Sequence, residues 1–327
     1  MSETVEVILC TYNGSCFVIE QIKSILAQTT RIDRLSIYDD ASHDGTPDLI
    51  ARFAASLDPE KNILHLEVNK ENIGYAHNFC NAIQRASCDI ILLCDQDDIW
   101  ESDKVAVLVK ALHDDSSDMA FSDGTLINSS GVPIPGPTVL GAYGLDSRAV
   151  TGFRHQAFKL LIKRNFINGA ALAVRRKAAQ AAMPVPEHMP HDYWLAIWCA
   201  LNAGITGIPK PLYRYRQHEN NAIGVGTTKT LHVIAGLWRH PDIPRQVELL
   251  RWRHIVPRIS LIPNHPEINN AREKLFWLES VLDHKPNRLT RMATIIGSAI
   301  SGRYLKYSPP YSFIRDLIST VKSKSPH

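Results

Sequence analysis

One stretch of sequence decides the fold of this chain: Ile90-Ile91-Leu92-Leu93-Cys94-Asp95-Gln96-Asp97-Asp98-Ile99-Trp100. Its first five residues are apolar without interruption, which is typical of a central parallel strand that is covered on both faces. The strand runs directly into three carboxylates. In an open α/β sheet, ligands bind beyond the carboxyl ends of the strands. The stretch therefore predicts an α/β sheet with an acidic ligand site at one edge.

The residues before this stretch alternate between strand and helix patterns. Val- and Ile-rich runs predict three strands, at residues 3–10, 34–38 and 63–68. Three helices are predicted between them, at residues 17–28, from a turn at 42–46 to about residue 57, and at 75–86. Because strand and helix alternate, we expect right-handed parallel crossovers and a sheet of the nucleotide-binding type.

The second half of the chain has a less regular pattern. Strands are predicted at residues 119–128, 168–174 and 207–216, a Gly- and Pro-rich loop at 132–148, and a helix at 192–203. From about residue 227, helical segments alternate with breaks at Pro241, Pro257, Pro263 and Pro286. We therefore predict an α/β domain over residues 1–228 and a helical, basic region over residues 229–327.

Charge divides the chain at the same place. The 327 residues carry a formal net charge of +3, but residues 229–327 hold 16 Lys and Arg against 7 Asp and Glu, or +9. Residues 1–228 hold 20 against 26, or −6. A basic region with interleaved aromatic residues favours a peripheral contact with anionic membrane; a helical lid or a dimer contact is the alternative. The aromatic residues concerned are Trp238, Trp252, Trp277, Tyr304, Tyr307 and Tyr311.

No segment has the pattern of an export signal or a membrane span. Residues 1–6 carry two acidic and no basic residues, and no stretch approaches the roughly 18 apolar residues of a transmembrane helix. The six cysteines are scattered without paired metal spacing, which fits free thiols in a reducing compartment. We expect a cytoplasmic protein, with contact at the inner face of the cytoplasmic membrane as an extension, and no nucleic-acid partner.

Three loops are expected to meet at the ligand edge of the sheet: residues 11–14, 39–45 and 95–100. Two of them carry adjacent carboxylates, and like charges this close are costly unless a cation relieves them. Oxygen ligands suit a hard divalent ion, so we predict Mg²⁺ or Mn²⁺ bridging the oxygens of a diphosphate. Two alternatives stay open: Asp39-Asp40 as a helix cap, and residues 95–98 as a solvated acidic turn.

These three loops resemble a known family. Thr11-Tyr12-Asn13, Asp39-Asp40-x-Ser42 and Asp95-x-Asp97-Asp98 follow the first, second and fourth strands, in the order found in family 2 glycosyltransferases with the GT-A fold. The resemblance covers roughly residues 4 to 220. It implies a Rossmann-like mixed sheet flanked by helices, with a helical C-terminal appendage. It also implies metal-dependent, inverting transfer of a sugar from a nucleotide diphosphate donor.

The resemblance assigns roles to particular residues. The nucleotide pocket would be lined by Thr11, Asn13, Asp40, Asn72, Gly74 and Asn78. The metal and the diphosphate would be held by Asp95, Asp97 and Asp98, with His218 completing the shell or contacting phosphate. Asp192 would be the catalytic base. A helix N-cap is the alternative for Asp192, and an ordinary surface position for His218.

Two segments resemble the rhamnosyltransferase branch of that family: Asp95-Gln96-Asp97-Asp98-Ile99-Trp100 and Tyr215-Arg216-Gln217-His218-x-Asn220-Asn221. On this resemblance the donor is dTDP-L-rhamnose, and the acceptor is a saccharide or a lipid-linked saccharide in surface polysaccharide assembly. Further contacts to acceptor or phosphate are assigned to Trp100, His191, Trp194 and Arg216. A structural role is the favoured alternative for His191, and a core position is favoured for Trp194 and Trp198, one of which would stack on the acceptor sugar.

Two other functions compete with sugar transfer. A nucleotidyltransferase that makes an activated sugar needs a Gly-rich, Arg-bearing loop after the first strand, which residues 11–14 do not supply. A non-catalytic protein that binds nucleotide sugar or saccharide would keep donor affinity and tolerate the loss of the base. A dehydrogenase is not favoured, because no Gly-x-Gly-x-x-Gly follows the first strand.

Overall fold

The computed structural model describes residues 3–59, 62–153, 156–218, 243–263, 265–282, 288–309 and 311–322. Within them the strands are β1 (Val5–Thr11), β2 (Arg34–Asp39), β3 (Leu64–Val68), β4 (Ile90–Cys94), β5 (Ile99–Trp100), β6 (Met119–Ile127), β7 (Leu172–Arg175) and β8 (Ile205–Arg216). They form one sheet in the order β3-β2-β1-β4-β7-β6-β8-β5.

The helices of the described residues follow the same chain order. The first eight are α1 (Val18–Leu26), α2 (Thr46–Ala55), α3 (Tyr75–Arg85), α4 (Lys104–Asp114), α5 (Ser147–Thr151), α6 (Ala157–Leu161), α7 (Arg176–Ala181) and α8 (His191–Ala200). Towards the C-terminus they are α9 (Ile243–Ile259), α10 (Glu267–Leu282), α11 (Arg288–Ile300), α12 (Arg303–Tyr307) and α13 (Ser312–Lys322).

The sheet is mixed, as predicted. β3, β2, β1 and β4 run parallel to one another, whereas β7 is antiparallel to both β4 and β6. β6 and β8 are again parallel, and β5 pairs antiparallel with β8 at the edge. In the parallel half, Thr11 lies beside Asp39 and Leu9 beside Cys94. The loops that follow β1, β2 and β4 therefore begin at one edge of the sheet.

Apolar side chains on both faces hold this edge in place. Every residue of β1 and β4 is buried, which explains why both strands are nearly continuous apolar runs. Helix α1 buries Val18, Ile22 and Ile25, whose spacing places them on one face of a helix. These side chains and those of β1, β2 and β4 belong to one core cluster.

Two predicted features differ from the observed ones. The strand predicted from residue 168 begins at Leu172, because Gly169–Ala171 form a 3₁₀ turn capped by the Asn168 side chain. The break predicted at Pro257 is wrong, since Pro257 lies inside α9. The lost hydrogen bond there falls in the last turn of the helix, where few helical bonds depend on it. Pro241 and Pro286 lie outside the described residues.

The chain divides into two compact units. The first comprises the described residues of Met1–Ala157, Phe166–Val185 and Pro190–Val225, and the second those of Phe158–Asn165, Pro186–Met189 and Gly226–His327. The boundary predicted at residue 228 lies outside the described residues. Within those residues, no helix is long and apolar enough to cross a membrane.

The second unit has a core in which charges are buried in pairs. Arg245 donates to Asp316 at 2.6 Å and to Glu248 at 2.8 Å, and its guanidinium lies 4.9 Å from the ring centroid of Trp277. Buried charges persist in proteins only when they are paired in this way. Trp252, Trp277, Tyr304 and Tyr307 are all buried in this unit. The prediction that these four aromatic residues form a membrane surface is therefore wrong. Trp238 lies outside the described residues.

Candidate active site

The loop after β1 is tied to the loop after β4 by a single side chain. Gln96 accepts a hydrogen bond from the Tyr12 backbone N–H at 2.8 Å and donates one to the Tyr12 carbonyl at 3.0 Å. Gly14 permits this approach, because a Cβ there would lie 2.2 Å from Gln96 Oε1. Nothing in the sequence pattern distinguishes Gln96 from a surface glutamine, so this clamp was not predicted.

The loop after β1 is also tied to the loop after β2. The Asn13 backbone N–H donates to Ser42 Oγ at 2.8 Å, and Asn13 Oδ1 accepts from the His43 N–H at 2.9 Å. Thr11 Oγ1 donates to Asp39 Oδ2 at 2.6 Å. Asn13 has a φ of 49°, in the left-handed region that asparagine tolerates better than most residues. The three loops therefore converge, as the sequence predicted.

The carboxylate of Asp40 holds the segment that leads into α3. Asp40 is buried, and its oxygens accept hydrogen bonds from the backbone N–H groups of Ile73 and Gly74 at 2.9 and 2.8 Å. A third bond comes from the Asn69 side chain at 2.9 Å. Helix α2 begins after Gly45 without a side-chain cap, so the alternative of Asp39-Asp40 as a helix cap is wrong.

The asparagines assigned to the nucleotide pocket belong to the same network. Asn78 is buried and donates to the Tyr38 carbonyl at 2.8 Å, while its Oδ1 accepts from Asn69 at 3.1 Å. Asn72 is exposed, and its side chain accepts from the Gly74 N–H at 3.1 Å. Asp40, Gly74 and the two asparagines therefore lie together in the structure, beside the loops that hold Thr11 and Asn13.

The three carboxylates after β4 are crowded and partly desolvated. Asp98 is 1% exposed; its Oδ1 accepts from the Arg216 N–H at 3.1 Å, and its Oδ2 finds no hydrogen-bond donor among the described residues. Burial, then the charges of Asp97 and Asp95, raise the pKa of Asp98 well above its usual value. Burial, then Asp97 and Asp192, raise the pKa of Asp95 to about 7. The segment is therefore not a solvated acidic turn.

These features fit a divalent cation that is shared with a ligand. A buried carboxylate oxygen without a partner and a raised carboxyl pKa are both relieved by a nearby positive charge. In the described part of the chain, no three His, Cys, Asp or Glu side chains are placed to hold a metal ion by themselves. Mg²⁺ and its relatives are commonly held by one or two carboxylates together with substrate phosphates. The site therefore suits a cation bound by Asp97 and Asp98 with a diphosphate.

His218 and Arg216 lie at the acidic segment, in different roles. His218 Nε2 is 2.8 Å from Asp97 Oδ2, so the imidazole lies beside the acidic segment. Arg216 is 2% exposed, donates to the Asp97 carbonyl at 2.8 Å and pairs with Glu20 at 2.5 Å. Its guanidinium is used within the protein, so the predicted phosphate contact of Arg216 is not available in this structure. Asn220 and Asn221 lie outside the described residues.

A buried lysine behind the acidic segment was not predicted. Lys104 is fully buried at the start of α4, with its Nζ 4.1 Å from the ring centroid of Trp100 and 4.8 Å from that of Tyr213. It donates to the Ala170 carbonyl. Burial lowers the pKa of Lys104 to about 8, and the nearby acidic groups of Cys94, Asp98 and Asp95 oppose this shift. The positive charge of Lys104 partly offsets the negative charge of the carboxylates. Its carbonyl partner lies 66 residues away in sequence, and the spacing of residues along the chain does not reveal such a contact.

Asp192 lies in the first turn of α8, within electrostatic reach of Asp95. Its Oδ1 accepts from the Tyr193 N–H at 2.6 Å. The N-cap of α8 is Pro190, so the alternative of Asp192 as the N-cap is wrong. Its neighbour His191 is buried and stacks on Phe79 of α3 at 4.1 Å between ring centroids. Burial lowers the pKa of His191 to about 3, so the ring is neutral at ordinary pH.

Two tryptophans considered as acceptor contacts lie in the core, the position already favoured for Trp194. Trp194 is fully buried and its indole N–H donates to the Ala182 carbonyl at 2.7 Å. Trp100 is 4% exposed, and its backbone N–H donates to Ser24 Oγ at 3.0 Å. A sugar has no access to either ring in this structure, which corrects the predicted acceptor contacts. Large aromatic side chains near a site are more often buried for their apolar area than used for binding.

The fold and the site together define a nucleotide-sugar-dependent transferase. The family model for glycosyl transferase family 2 matches residues 6–181, which include all three loops. The chain therefore belongs to glycosyl transferase family 2, and its mixed sheet is of the GT-A type.

Individual relatives agree with this family. The chain is 28% identical over 255 residues to a dTDP-rhamnosyl transferase, RfbG, of Shigella flexneri, covering 72% of this chain and 82% of that protein. It is 28% identical over 130 residues to a putative teichuronic acid biosynthesis glycosyltransferase, TuaG, of Bacillus subtilis, covering 40% of this chain and 50% of that protein. Among solved structures, a Pyrobaculum calidifontis mannosyltransferase in complex with GDP-Man and Mn²⁺ is 18% identical. Its TM-score is 0.59, over 98% of this chain and 85% of that one.

Proposed function

We propose that this chain transfers L-rhamnose from dTDP-L-rhamnose to a saccharide or lipid-linked acceptor, during assembly of a surface polysaccharide of the O-antigen or capsule type. The donor rests on the similarity to the Shigella flexneri dTDP-rhamnosyl transferase, which extends over most of both chains. The similarity to the teichuronic acid enzyme supports a role in polysaccharide assembly.

The proposed mechanism is a single displacement with inversion at the anomeric carbon. The carboxylate of Asp192 takes the proton of the acceptor hydroxyl as the oxygen attacks the anomeric carbon. The bond from that carbon to the diphosphate breaks at the same time, and the diphosphate leaves with the electron pair. The observation that supports this assignment is that Asp192 lies in the first turn of α8, close enough to Asp95 for its charge to raise the Asp95 pKa.

The remaining groups would hold the donor for this step. Asp40 and the segment it anchors, with Thr11 and Asn13, would enclose the nucleotide. Asp97 and Asp98, supported by His218, would hold Mg²⁺ or Mn²⁺ together with the diphosphate, with Asp95 beside them. A bound cation stabilises the negative charge of the leaving diphosphate, usually a large term in such reactions.

A panel of donors tests the proposal. We expect dTDP-L-rhamnose to bind in the presence of Mn²⁺ or Mg²⁺ by calorimetry, and to be hydrolysed slowly without acceptor. UDP-sugars and GDP-sugars should bind more weakly, and chelation of the metal should remove most of the binding. Tighter binding of a UDP- or GDP-sugar would contradict rhamnose as the donor, and binding of none of the three would contradict the proposed function as a whole.

Replacement of the base separates an enzyme from a binding protein. Asp192→Asn should lower the rate of sugar transfer by about 10²–10⁴-fold, the usual contribution of a general base, and leave metal-dependent nucleotide binding within a few fold. The matched control is Asp48→Asn, another first-turn helix aspartate that is exposed on α2, which should change neither. Unchanged turnover in Asp192→Asn would reject Asp192 as the base. A wild-type protein that binds donor without transfer would favour the non-catalytic alternative.

A further inference from the structure

Helix α11 exposes a continuous apolar face. Leu289, Ile296 and Ile300 are 78%, 43% and 83% exposed, although each is large and aliphatic. The face is completed by smaller or less exposed apolar residues, and we name it the α11 stripe: Leu289, Met292, Ala293, Ile296 and Ile300. At 3.6 residues per turn these five positions fall within about 100° around the helix axis. The opposite side of α11 is packed in the protein, since Ile295 and Ser298 are buried.

Neighbouring helices expose further apolar side chains. Leu305 of α12, Tyr311 and Ile314 of α13 are 68%, 55% and 61% exposed. Both helices pack against α11, and the Arg291 side chain donates to Ser319 Oγ at 2.7 Å. The α11 stripe is therefore part of a three-helix group that offers more apolar surface to solvent than an ordinary soluble helix.

The same group of helices is strongly basic. Residues 288–322 hold six basic side chains against one acidic side chain. The basic ones are Arg288, Arg291, Arg303, Lys306, Arg315 and Lys322. The one acidic residue, Asp316, is 3% exposed and pairs with Arg245, so it contributes little negative potential at the surface. Arg303 is exposed and Lys306 is 50% exposed. Arg315 is buried as well and pairs with Asp316, so Arg303 and Lys306 are the basic side chains observed at the surface. An exposed apolar stripe beside such basic side chains is typical of a helix that lies on an anionic membrane.

We propose that the α11 stripe binds the surface of a bilayer containing anionic lipids, with α11 in the plane of the interface. The 13 residues of α11 extend for only about 20 Å, so the helix suits the interface and not a span. Of the aromatic residues expected from sequence, this surface includes Tyr311, whereas Trp252, Trp277, Tyr304 and Tyr307 are buried. The proposal does not depend on which sugar the enzyme transfers.

A second copy of the chain suits the stripe less well. A stable protein interface needs about 800 Å² and roughly 20–30 residues from each partner, and the stripe with its three exposed neighbours offers eight side chains. A two-fold dimer brings the same face of both copies together. It would therefore place two basic segments against each other, and this like-charge contact is unfavourable.

Flotation with vesicles tests the proposal on the full chain. We expect the protein to float with vesicles of phosphatidylcholine and phosphatidylglycerol, and to bind vesicles of phosphatidylcholine alone about tenfold more weakly because the basic side chains lose their attraction. The double variant Ile296→Ser, Ile300→Ser should lower binding to the anionic vesicles about tenfold or more, since two exposed aliphatic groups no longer enter the interface.

Two exposed leucines outside the α11 stripe provide a matched control. Leu250 and Leu261 are 41% and 77% exposed, close to the values of Ile296 and Ile300. Leu250→Ser with Leu261→Ser should keep vesicle binding within about twofold of the wild type. Donor nucleotide binding and thermal unfolding, measured on every variant, show that the substitutions leave the fold and the active site intact.

Three results would overturn the proposal. The first is no flotation of the wild-type protein with anionic vesicles. The second is an equal loss of binding in the stripe variant and in the control variant. The third is a wild-type dimer in sedimentation that the stripe variant abolishes while vesicle binding stays unchanged, which would assign the stripe to a second copy. None of these results bears on donor binding, so the proposed function is tested separately.

Discussion

At the scale of single residues, the site depends on a contact between Gln96 and the loop after β1. The two hydrogen bonds to Tyr12 join loops that lie 84 residues apart in sequence. Gly14 is required for this contact because a Cβ would occupy the space of the Gln96 amide. The clamp fixes the position of Thr11 and Asn13 relative to the acidic segment, and donor binding should therefore be sensitive to it.

We predict that Gly14→Ala weakens donor binding and stability together. The new methyl group displaces Gln96 and breaks both bonds to Tyr12, at a cost of about 1–3 kcal/mol. Metal-dependent nucleotide binding should fall about tenfold in calorimetry. Gln96→Ala should have a similar effect alone, and the double variant should be no worse than either single one, because both act on the same contact. Fully additive losses would show that Gly14 and Gln96 act separately.

At the scale of elements, the sequence predicted the parallel half of the sheet better than the rest. β4 is apolar along its whole length and β1 is apolar except for Glu6 and Thr11, and such long apolar runs leave few alternatives to buried strands. β5 was not predicted because two residues carry no periodicity. The sequence analysis predicted no helix at α4, although Val105, Leu108 and Leu112 recur at helical spacing. The acidic residues just before α4 were interpreted as a functional site, and no element was predicted after them.

The site residues divide in a similar way: those that follow a local sequence pattern were predicted, and those held by contacts distant in sequence were not. Carboxylates that directly follow strands were found from sequence, because strand order places them at one edge. The contacts of Lys104, Gln96 and Arg216 depend on residues 66 to 119 positions away, and no local pattern encodes them. Trp100 and Trp194 were assigned to the acceptor because aromatic rings often stack on sugars, but burial of their apolar area decided their positions.

The contact between α8 and α3 gives an element-scale prediction with a pH dependence. His191 packs on Phe79, and its pKa is lowered by burial to about 3, against about 6.5 in an unfolded chain. A lowered histidine pKa stabilises the fold above pH 6.5, and this stability is lost as the pH falls towards 3. Between pH 7.5 and pH 4.5, protonation of His191 in the unfolded chain lowers the free energy of unfolding by about 2–3 kcal/mol.

His191→Leu should remove this acid sensitivity. Urea unfolding at pH 7.5 should place the variant within about 1.5 kcal/mol of the wild type, because the volume is nearly kept. At pH 4.5 the variant should be the more stable of the two. Transfer activity at pH 7.5 should stay within about tenfold, since the ring packs on α3 and Asp192 is unchanged. A loss of activity beyond about 10²-fold would instead place His191 among the groups that contact the reactants.

At the scale of the whole molecule, opposite charges are segregated along the chain. Residues 1–228 carry −6 and residues 229–327 carry +9. The acidic excess includes the crowded carboxylates after β4, whose repulsion opposes folding unless a cation is present. The basic excess includes the helices that carry the α11 stripe. The two binding activities that we propose thus have opposite electrostatic requirements: a cation with diphosphate at the acidic residues after β4, and anionic lipid at the α11 stripe.

The acidic site links the binding of metal to pH. Asp95 has a pKa of about 7 in the folded protein and about 3.9 in an unfolded chain. Folding therefore takes up a proton between these values, and this carboxyl makes the metal-free protein less stable as the pH rises through that window. A cation bound nearby removes the cost, because it favours the charged carboxylate. Protons and metal should therefore compete at this site.

We predict that dTDP with Mn²⁺ binds about tenfold more weakly at pH 6.0 than at pH 7.5, because most Asp95 carboxyls are protonated at the lower pH. Calorimetry in buffers of different ionisation enthalpy should detect proton release at pH 6.0, with close to one proton coming from Asp95. The nucleotide titrates as well, and so does Asp98, whose pKa is also raised; Asp95→Asn is therefore the control that loses only the contribution of Asp95. The affinity at pH 7.5 divided by the affinity at pH 6.0 should be larger in the wild type than in Asp95→Asn. If the two proteins give the same ratio, Asp95 gives up no proton when metal binds, and its carboxylate is already charged in the metal-free protein.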